Sequence, residues 1–378
     1  VAGGSGTRRQ GEVGVKQEGQ DAQPVGRAGR RRSKPGAAVT ISEVARAAGV
    51  STATVSNALN GRPGMAEETR ARILAFVDEL GYQINPTARN LRAGRTGAIG
   101  LLVPELDRPY FGQLATTLAD GVEARGRHLV LQRSGGSREG ELAAASYANL
   151  RMYDGVIVTV IGLGQADLER LNFTTPVVLV GERPVPSSFD HVTIDNVGGA
   201  RRATEHLLER GARRIAVLGG TLDDTSAHMT SLRTRGWREA YRARGLEAPE
   251  ELVRQLPEID PATGCSAVKE LAAEHEFDAV IAVTDFLAMG VLRGLADLGL
   301  LVPEQVQVVG FDDNDEAPYL VPSLTSVGPS KSDIASTILD LLEKRMREHE
   351  ERVPASRRGR PVEATIGTHL SVRGSTRA

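Results

Sequence analysis

The chain has 378 residues, 40% of them hydrophobic and 25% charged, with a formal net charge of -2. That length supplies core for two or three domains, and the near-neutral balance excludes a protein that binds polyanions over its whole surface, so any nucleic-acid footprint is local. The single cysteine, Cys265, excludes an intramolecular disulfide and offers no thiolate metal site, and no run of about 18 apolar residues provides a membrane span.

Residues 1–38 hold eight Arg or Lys against three Asp or Glu, without apolar periodicity. They are expected to form a disordered basic tail. The apolar stretch of a secretory signal is missing, so the expectation is a soluble, cytoplasmic protein. Thr40 and Glu43 then make a capping box, Ile41, Val44, Ala45 and Ala48 recur at helical spacing, and Gly49 offers a left-handed stop. A helix over 41–48 follows. Val50 plugs the corner, Ser51 caps the next helix, and Val55 and Leu59 face inward at i, i+4. The outer face carries Thr52, Ala53, Ser56, Asn57 and Asn60, short neutral side chains that suit close approach to base edges and phosphates. A third helix is predicted from Glu67 to Leu80, with Thr69, Ile73, Phe76, Val77 and Leu80 inward and Gly81 as its stop. Taken alone, the same turn signature fits a helical hairpin that caps a larger domain.

From Thr40 through Leu91, the segments TISEVARAAGVSTATVSNALN, AEETR, GY and ARNLR resemble the DNA-binding headpiece of the LacI/GalR family of bacterial transcription regulators. The resemblance implies a second helix in the major groove and a hinge helix that pushes a leucine into the minor groove. It puts Thr52, Ala53 and Asn57 at base-reading positions, with Ser51, Thr54 and Asn60 beside them, and Leu91 at the wedge; Arg89, Arg92 and Arg95 around it are expected to hold backbone or minor-groove phosphates, a solvated linker being the plainer reading of such a basic run. Chemistry agrees: an Asn amide pairs with adenine N6 and N7, a methyl packs on thymine, and an apolar wedge unstacks a base step. Ile84 stands where the family usually has proline and Pro86 comes two later, which predicts a hinge helix that starts late.

From Gly97 on, apolar runs alternate with amphipathic stretches: AIGLLV at 98–103, HLVLQ at 128–132, GVIVTV at 155–160, VVLVG at 177–181, RIAVLGG at 214–220, AVIAVT at 279–284 and VQVVGFDD at 306–313. Strand–helix repetition of this kind predicts an α/β fold with parallel sheets covered on both faces, and ligands that bind beyond the carboxyl ends of the strands. The residues to inspect are therefore Pro104, Glu105, Asp107, Tyr110, Phe111, Thr159, Gly181, Glu182, Thr284, Asp285 and Asp312.

This region also resembles the family's effector domain, of periplasmic-binding-protein type, through YFGQL, DGVIV, VTIDNVGGA, RIAVLGG, RTRGW, DFLAMG and VVGFDD, ending in HLSVRGST. The resemblance implies two subdomains joined by three crossings, a dimer, and a small ligand clamped between the subdomains, with Arg233 and Asp312 where the family grips its effector; Tyr110, Phe111, Thr159 and Asp285, placed just after strands, complete the expected effector-binding set. An Asp accepts from vicinal hydroxyls, an Arg fork donates to the same oxygens, and Phe111 covers an apolar ring face. A structural ion pair between Arg233 and Asp312 is the plainer reading of those two residues. Thr284 and Gly181 depart from the commonest sugar-binding pattern.

The run Asp312, Asp313, Asp315 and Glu316 lacks the spacing of a calcium loop and reads, beyond Asp312, as a solvated acidic loop. His128, His191, His206 and His228 form no spaced ligand pair, with His206 in a surface or packing role. VLGGTLDD is not a dinucleotide fingerprint. Neither a cofactor, a metal nor an enzyme activity is expected.

The expected organisation is a tail over 1–38, an all-α helix-turn-helix headpiece over 39–84, a hinge over 85–96, and a discontinuous two-subdomain effector and dimerisation domain over 97–376. The expected function is a homodimeric repressor on pseudo-palindromic double-stranded operator DNA, controlled by a small carbohydrate. A solute-binding protein, or a corepressor-dependent or activating regulator, is the alternative. A sugar-modifying enzyme would need a catalytic acid and base that the sequence does not display.

Overall fold

The computed structural model describes residues 39–82, 95–146, 150–171, 173–223 and 225–378. The expected tail and the hinge residues Arg89, Leu91 and Arg92 lie outside these. The chain divides into two compact units, one up to Ile84 and one from Asn85.

The first unit contains α1 (Ile41–Ala48), α2 (Thr52–Leu59) and α3 (Glu67–Glu79). Thr40 and Glu43 form the capping box, with Thr40 N donating to Glu43 at 2.8 Å, and Gly49 ends α1 at φ +66°, a conformation that costs glycine little. Ser51 Oγ accepts from Thr54 N at 3.1 Å to start α2. Val44, Val55 and Ile73 meet with no exposure, one from each helix, and Val50, Leu59, Phe76, Val77 and Leu80 pack around them.

The second unit begins with β1 (Ala98–Val103), α4 (Pro109–Ala124), β2 (His128–Arg133), α5 (Arg138–Ala144), β3 (Gly155–Thr159), α6 (Gln165–Arg170), β4 (Val177–Val180) and β5 (Asp190–Ile194). It continues with α7 (Asn196–Glu209), β6 (Ile215–Leu218), α8 (Met229–Ala243), β7 (Val253–Arg254), α9 (Pro261–Glu274), β8 (Ala279–Ala282), α10 (Asp285–Asp297), β9 (Gln307–Phe311) and β10 (Thr325–Pro329). It closes with α11 (Lys331–Glu350), β11 (Glu363–Ile366) and β12 (Thr368–Ser371).

Two six-stranded sheets result, in the orders β11-β5-β4-β3-β1-β2 and β12-β10-β9-β8-β6-β7. All pairings are parallel except β12 against β10. The chain passes between the sheets three times: from β5 to α7, from β10 to α11, and from β11 to β12. Helix α11 returns to the first sheet, where Ile334, Ile338, Leu339, Leu342 and Met346 pack on Ile99, Leu101 and Ile157. The second sheet is covered by a core that includes Trp237, Tyr241 and Phe311. Each apolar run of the sequence corresponds to a strand. The strands β5, β7, β10, β11 and β12 carry no such run. Fully buried β10 reads TSVGP, and β11 and β12 keep exposed positions, so neither type shows a continuous apolar stretch.

Candidate ligand cleft and nucleic-acid interface

Helix α2 presents Thr52 and Ala53 exposed and Asn57 half-buried, spaced so that 53 and 57 share one face. Ser51 and Thr54 share a hydroxyl hydrogen bond at 2.8 Å and fix the helix start. Asn60 is exposed at the end of the helix, where its amide nitrogen donates back to Ser56 O at 2.7 Å.

In the second unit the carboxyl ends of both sheets open on a cavity of about 300 Å³. The first subdomain contributes Arg108, Tyr110, Phe111, Ile161, Glu182 and Arg183, and the second contributes His228, Met229, Arg233, Thr284, Phe286, Asp312 and Asn314. The volume sits at the small end of ligand pockets, which run from about 300 to 1,000 Å³. Aromatic rings and a few convergent polar groups share the lining.

Arg233, carried by α8, is 4% exposed. Its Nε donates to Asn196 Oδ1 at 2.8 Å, and a terminal nitrogen donates to the Val283 carbonyl. The guanidinium lies 3.4 Å over the Phe311 ring and 3.5 Å from Asp312 Oδ1. The two sequence readings of this pair therefore coincide, because an ion pair is present and both members line the cavity. Asp312 has φ +113°, a strained value for a residue with a Cβ. Its N–H donates to Val327 O at 2.6 Å, while Lys331 Nζ donates to the Asp313 carbonyl at 2.8 Å. A Cβ on Gly328 would stand 2.6 Å from the Asp312 carbonyl, so that close approach requires glycine. Burial pushes the Asp312 carboxyl up to about 6, against the opposing pull of Arg233 and Lys331. Burial also lowers the Arg233 pKa, with Asp312 opposing.

Tyr110 and Phe111 meet edge to face at the cleft, with centroids 5.4 Å apart. Burial, then the charges of Asp312 and Glu182, raises the Tyr110 phenol. Two expected residues stand one layer away. Thr159 borders a smaller void of about 70 Å³ beneath Tyr110 and Phe111. Asp285 is 3% exposed and absent from the cavity lining; it accepts from Asn314 N at 2.7 Å and from Ser326 Oγ, tying the start of α10 to the β9–β10 connection. Burial, then the charge of Asp312, raises its carboxyl to about 8.

Sequence marks Glu182 only by its place after a strand; it accepts from Asn196 Nδ2 at 3.4 Å. Arg183, Asn314 and Phe311 carry no separate signal. His228, ordinary in the sequence, lines the cavity, and burial followed by Arg183 lowers its pKa. In the acidic loop Asp315 and Glu316 are exposed, as expected, whereas Asp313 is largely covered. Asp313 accepts from Ser371 Oγ and an Arg373 nitrogen, both at 2.7 Å, and Glu316 accepts from Gln113 Nε2 at 2.9 Å. His206 is buried in a packing role, 2.9 Å from Thr376 Oγ1. Among the described residues no helix is long and apolar enough to cross a membrane.

Residues 40–85 match the family described as bacterial regulatory proteins, lacI family, and residues 204–376 match the periplasmic binding protein-like domain. Catabolite control protein A of Priestia megaterium is 31% identical over 82% of this chain and 92% of its own length. Among solved structures, a LacI-family transcriptional regulator from Sanguibacter keddieii is 36% identical with a TM-score of 0.67, covering 75% of this chain and 99% of that one. The transcriptional regulator CelR–cellobiose complex is 31% identical with a TM-score of 0.63, covering 89% and 99%.

Proposed function

The chain belongs to the LacI family of bacterial regulatory proteins and is a DNA-binding transcriptional regulator, and from that premise we propose that it is a repressor released or engaged by a small carbohydrate held in the cleft. The observation that carries this reading is the buried Arg233–Asp312 pair, facing Glu182 and flanked by Phe111 and Phe286. Carboxylates and a guanidinium fork suit vicinal hydroxyls, and rings suit the apolar face of a sugar. A relative whose structure is that of a complex with cellobiose favours the same ligand class.

The proposed working form is a cytoplasmic homodimer on a pseudo-palindromic operator, with Thr52, Ala53 and Asn57 reading the major groove and Leu91 wedging the minor groove. A ligand that touches both subdomains biases the angle between them, and the three crossings carry that bias to the chain that leads to the headpiece. Coupling of about 1–3 kcal/mol changes operator affinity about 5- to 150-fold.

The test is thermal unfolding against a panel of sugars, sugar phosphates and nucleobases, on the wild type and on Asp312→Ala. A ligand at about 100 times its Kd stabilises the fold by about 2.7 kcal/mol. A carbohydrate that shifts the wild type alone, and that changes DNA retention in a gel, is the expected result. A nucleobase hit, or a carbohydrate shift retained in Asp312→Ala, would sink the reading of the cleft.

A further inference from the structure

The segment between α11 and β11 carries Arg352, Arg357, Arg358 and Arg360 against one acid, Glu351. All four arginines are exposed. Among the described residues none of them meets a carboxylate, and Arg358 Nε donates only to the Val353 carbonyl, at 3.1 Å. A charge run of this kind is usually just a solvated loop. Here the backbone beneath it is pinned. Arg345 donates to Gly359 O at 2.7 Å and to Arg360 O at 3.1 Å, Glu348 accepts from Gly359 N at 2.9 Å, and Asp190 accepts from Val362 N at 2.8 Å. Arg345 also grips Asp190, whose side chain is 1% exposed. A buried ion pair thus fixes the frame of a loop whose own charges stay in water.

The loop sits at a particular end of its subdomain. The first sheet is parallel, so Ala98, Gly155, Val177, Asp190 and Glu363 all begin strands at one end, opposite the end that opens on the cleft. The chain enters the subdomain at that same end, and Arg95 pairs with Glu350, the last residue of α11. Twelve residues join Tyr82 to Arg95, a covalent tether of at most about 45 Å. A duplex is stiff over about 150 base pairs, so DNA gripped by a headpiece on that tether extends well past its reading site.

We propose that Arg352, Arg357, Arg358 and Arg360 form a second DNA-binding surface that holds phosphates flanking the site read by α2, with no base selectivity of its own. The proposal rests on the headpiece binding DNA. Exposed guanidinium groups on a held backbone, none of them meeting a carboxylate among the described residues, are suited to phosphate oxygens, and each phosphate they neutralise releases counterions.

The experiment measures binding of the full chain to a fluorescent mixed-sequence duplex of about 40 base pairs across a salt series. It compares the wild type with the triple variants Arg357→Ser/Arg358→Ser/Arg360→Ser and Arg357→Lys/Arg358→Lys/Arg360→Lys. The serine variant should lower the slope of log affinity against log salt by about 0.9 for every phosphate that it no longer neutralises, and the lysine variant should restore it. Both should melt with the wild type, since the side chains are exposed. If the serine variant keeps the wild-type slope, the proposal fails and the loop faces some other partner, such as an acidic protein. Failure of the lysine variant to restore the slope overturns it too. A wild type that does not bind the duplex at all would instead remove the DNA-binding premise.

Discussion

The Arg233 guanidinium stands 3.5 Å from the Asp312 carboxylate, longer than a hydrogen bond, although both side chains are almost wholly buried. Asn196 and Val283 hold the other nitrogens of Arg233, and the strained turn at Asp312 is held by Val327. The pair is therefore fixed in place yet not fully satisfied internally. Two groups arranged this way keep donor and acceptor capacity that the protein itself does not use.

The Asp312 carboxyl, raised to about 6, sets a pH dependence with opposite signs for two observables. A ligand that donates hydroxyls to the carboxylate loses affinity as pH falls below about 6, approaching about one log unit per pH unit. The ligand-free fold behaves in reverse. Its native state takes up this proton near 6, while the unfolded chain waits until about 3.9, so this group adds stability as pH falls through that window. In Asp312→Asn affinity should drop by about 1.5–3 kcal/mol and lose its dependence between pH 5 and 7. Calorimetry at several pH values reads both, and an unchanged profile in the variant would assign the titration elsewhere.

Gln113 on α4 donates to Glu316 at 2.9 Å and accepts from Asp315 N at 3.2 Å, bridging the two subdomains beside the cleft. The bridge is exposed, so Gln113→Ala should change thermal stability by less than about 1 kcal/mol. It should nonetheless weaken ligand binding about 2- to 5-fold, because an interaction made in this arrangement of the subdomains biases their equilibrium. Titration of the ligand found in the panel decides it; equal affinity would mean the bridge exerts no bias.

Asn57→Ala should cost about 1–3 kcal/mol of discrimination at one base pair of each half-site. Binding to mixed-sequence DNA should stay nearly constant. Selection of sites from a random duplex library would show a relaxed position in the variant, whereas an unaltered consensus removes Asn57 from the reading face.

Ile73 joins α3 to Val44 and Val55 with no exposure. Ile73→Ala should cost about 2–5 kcal/mol, more than so small a core can lose. DNA binding should disappear while ligand binding in the second unit persists. Loss of both would mean the two units do not fold independently.

The headpiece is legible in the sequence because its signals are local. A capping box, a glycine stop, a Ser cap and apolar spacing act within four residues, and each finds its expected partner at Thr40, Gly49, Ser51 and Val55. The buried parallel strands are legible as β-branched runs, and Arg233 and Asp312 through their motifs. The strands β10, β11 and β12 are not, since burial of TSVGP and the edge pairing of the last two depend on neighbours far away in the chain. Asp285 and Thr159 show the same limit within the site. Sequence places both after strands, but Asn314 and Ser326, 29 and 41 residues beyond Asp285, turn its carboxylate inward. Sequence by itself thus determined which elements form and what chemistry they carry. Tertiary structure alone decided which side chains face the cleft, because that depends on which distant surface takes up each polar group first.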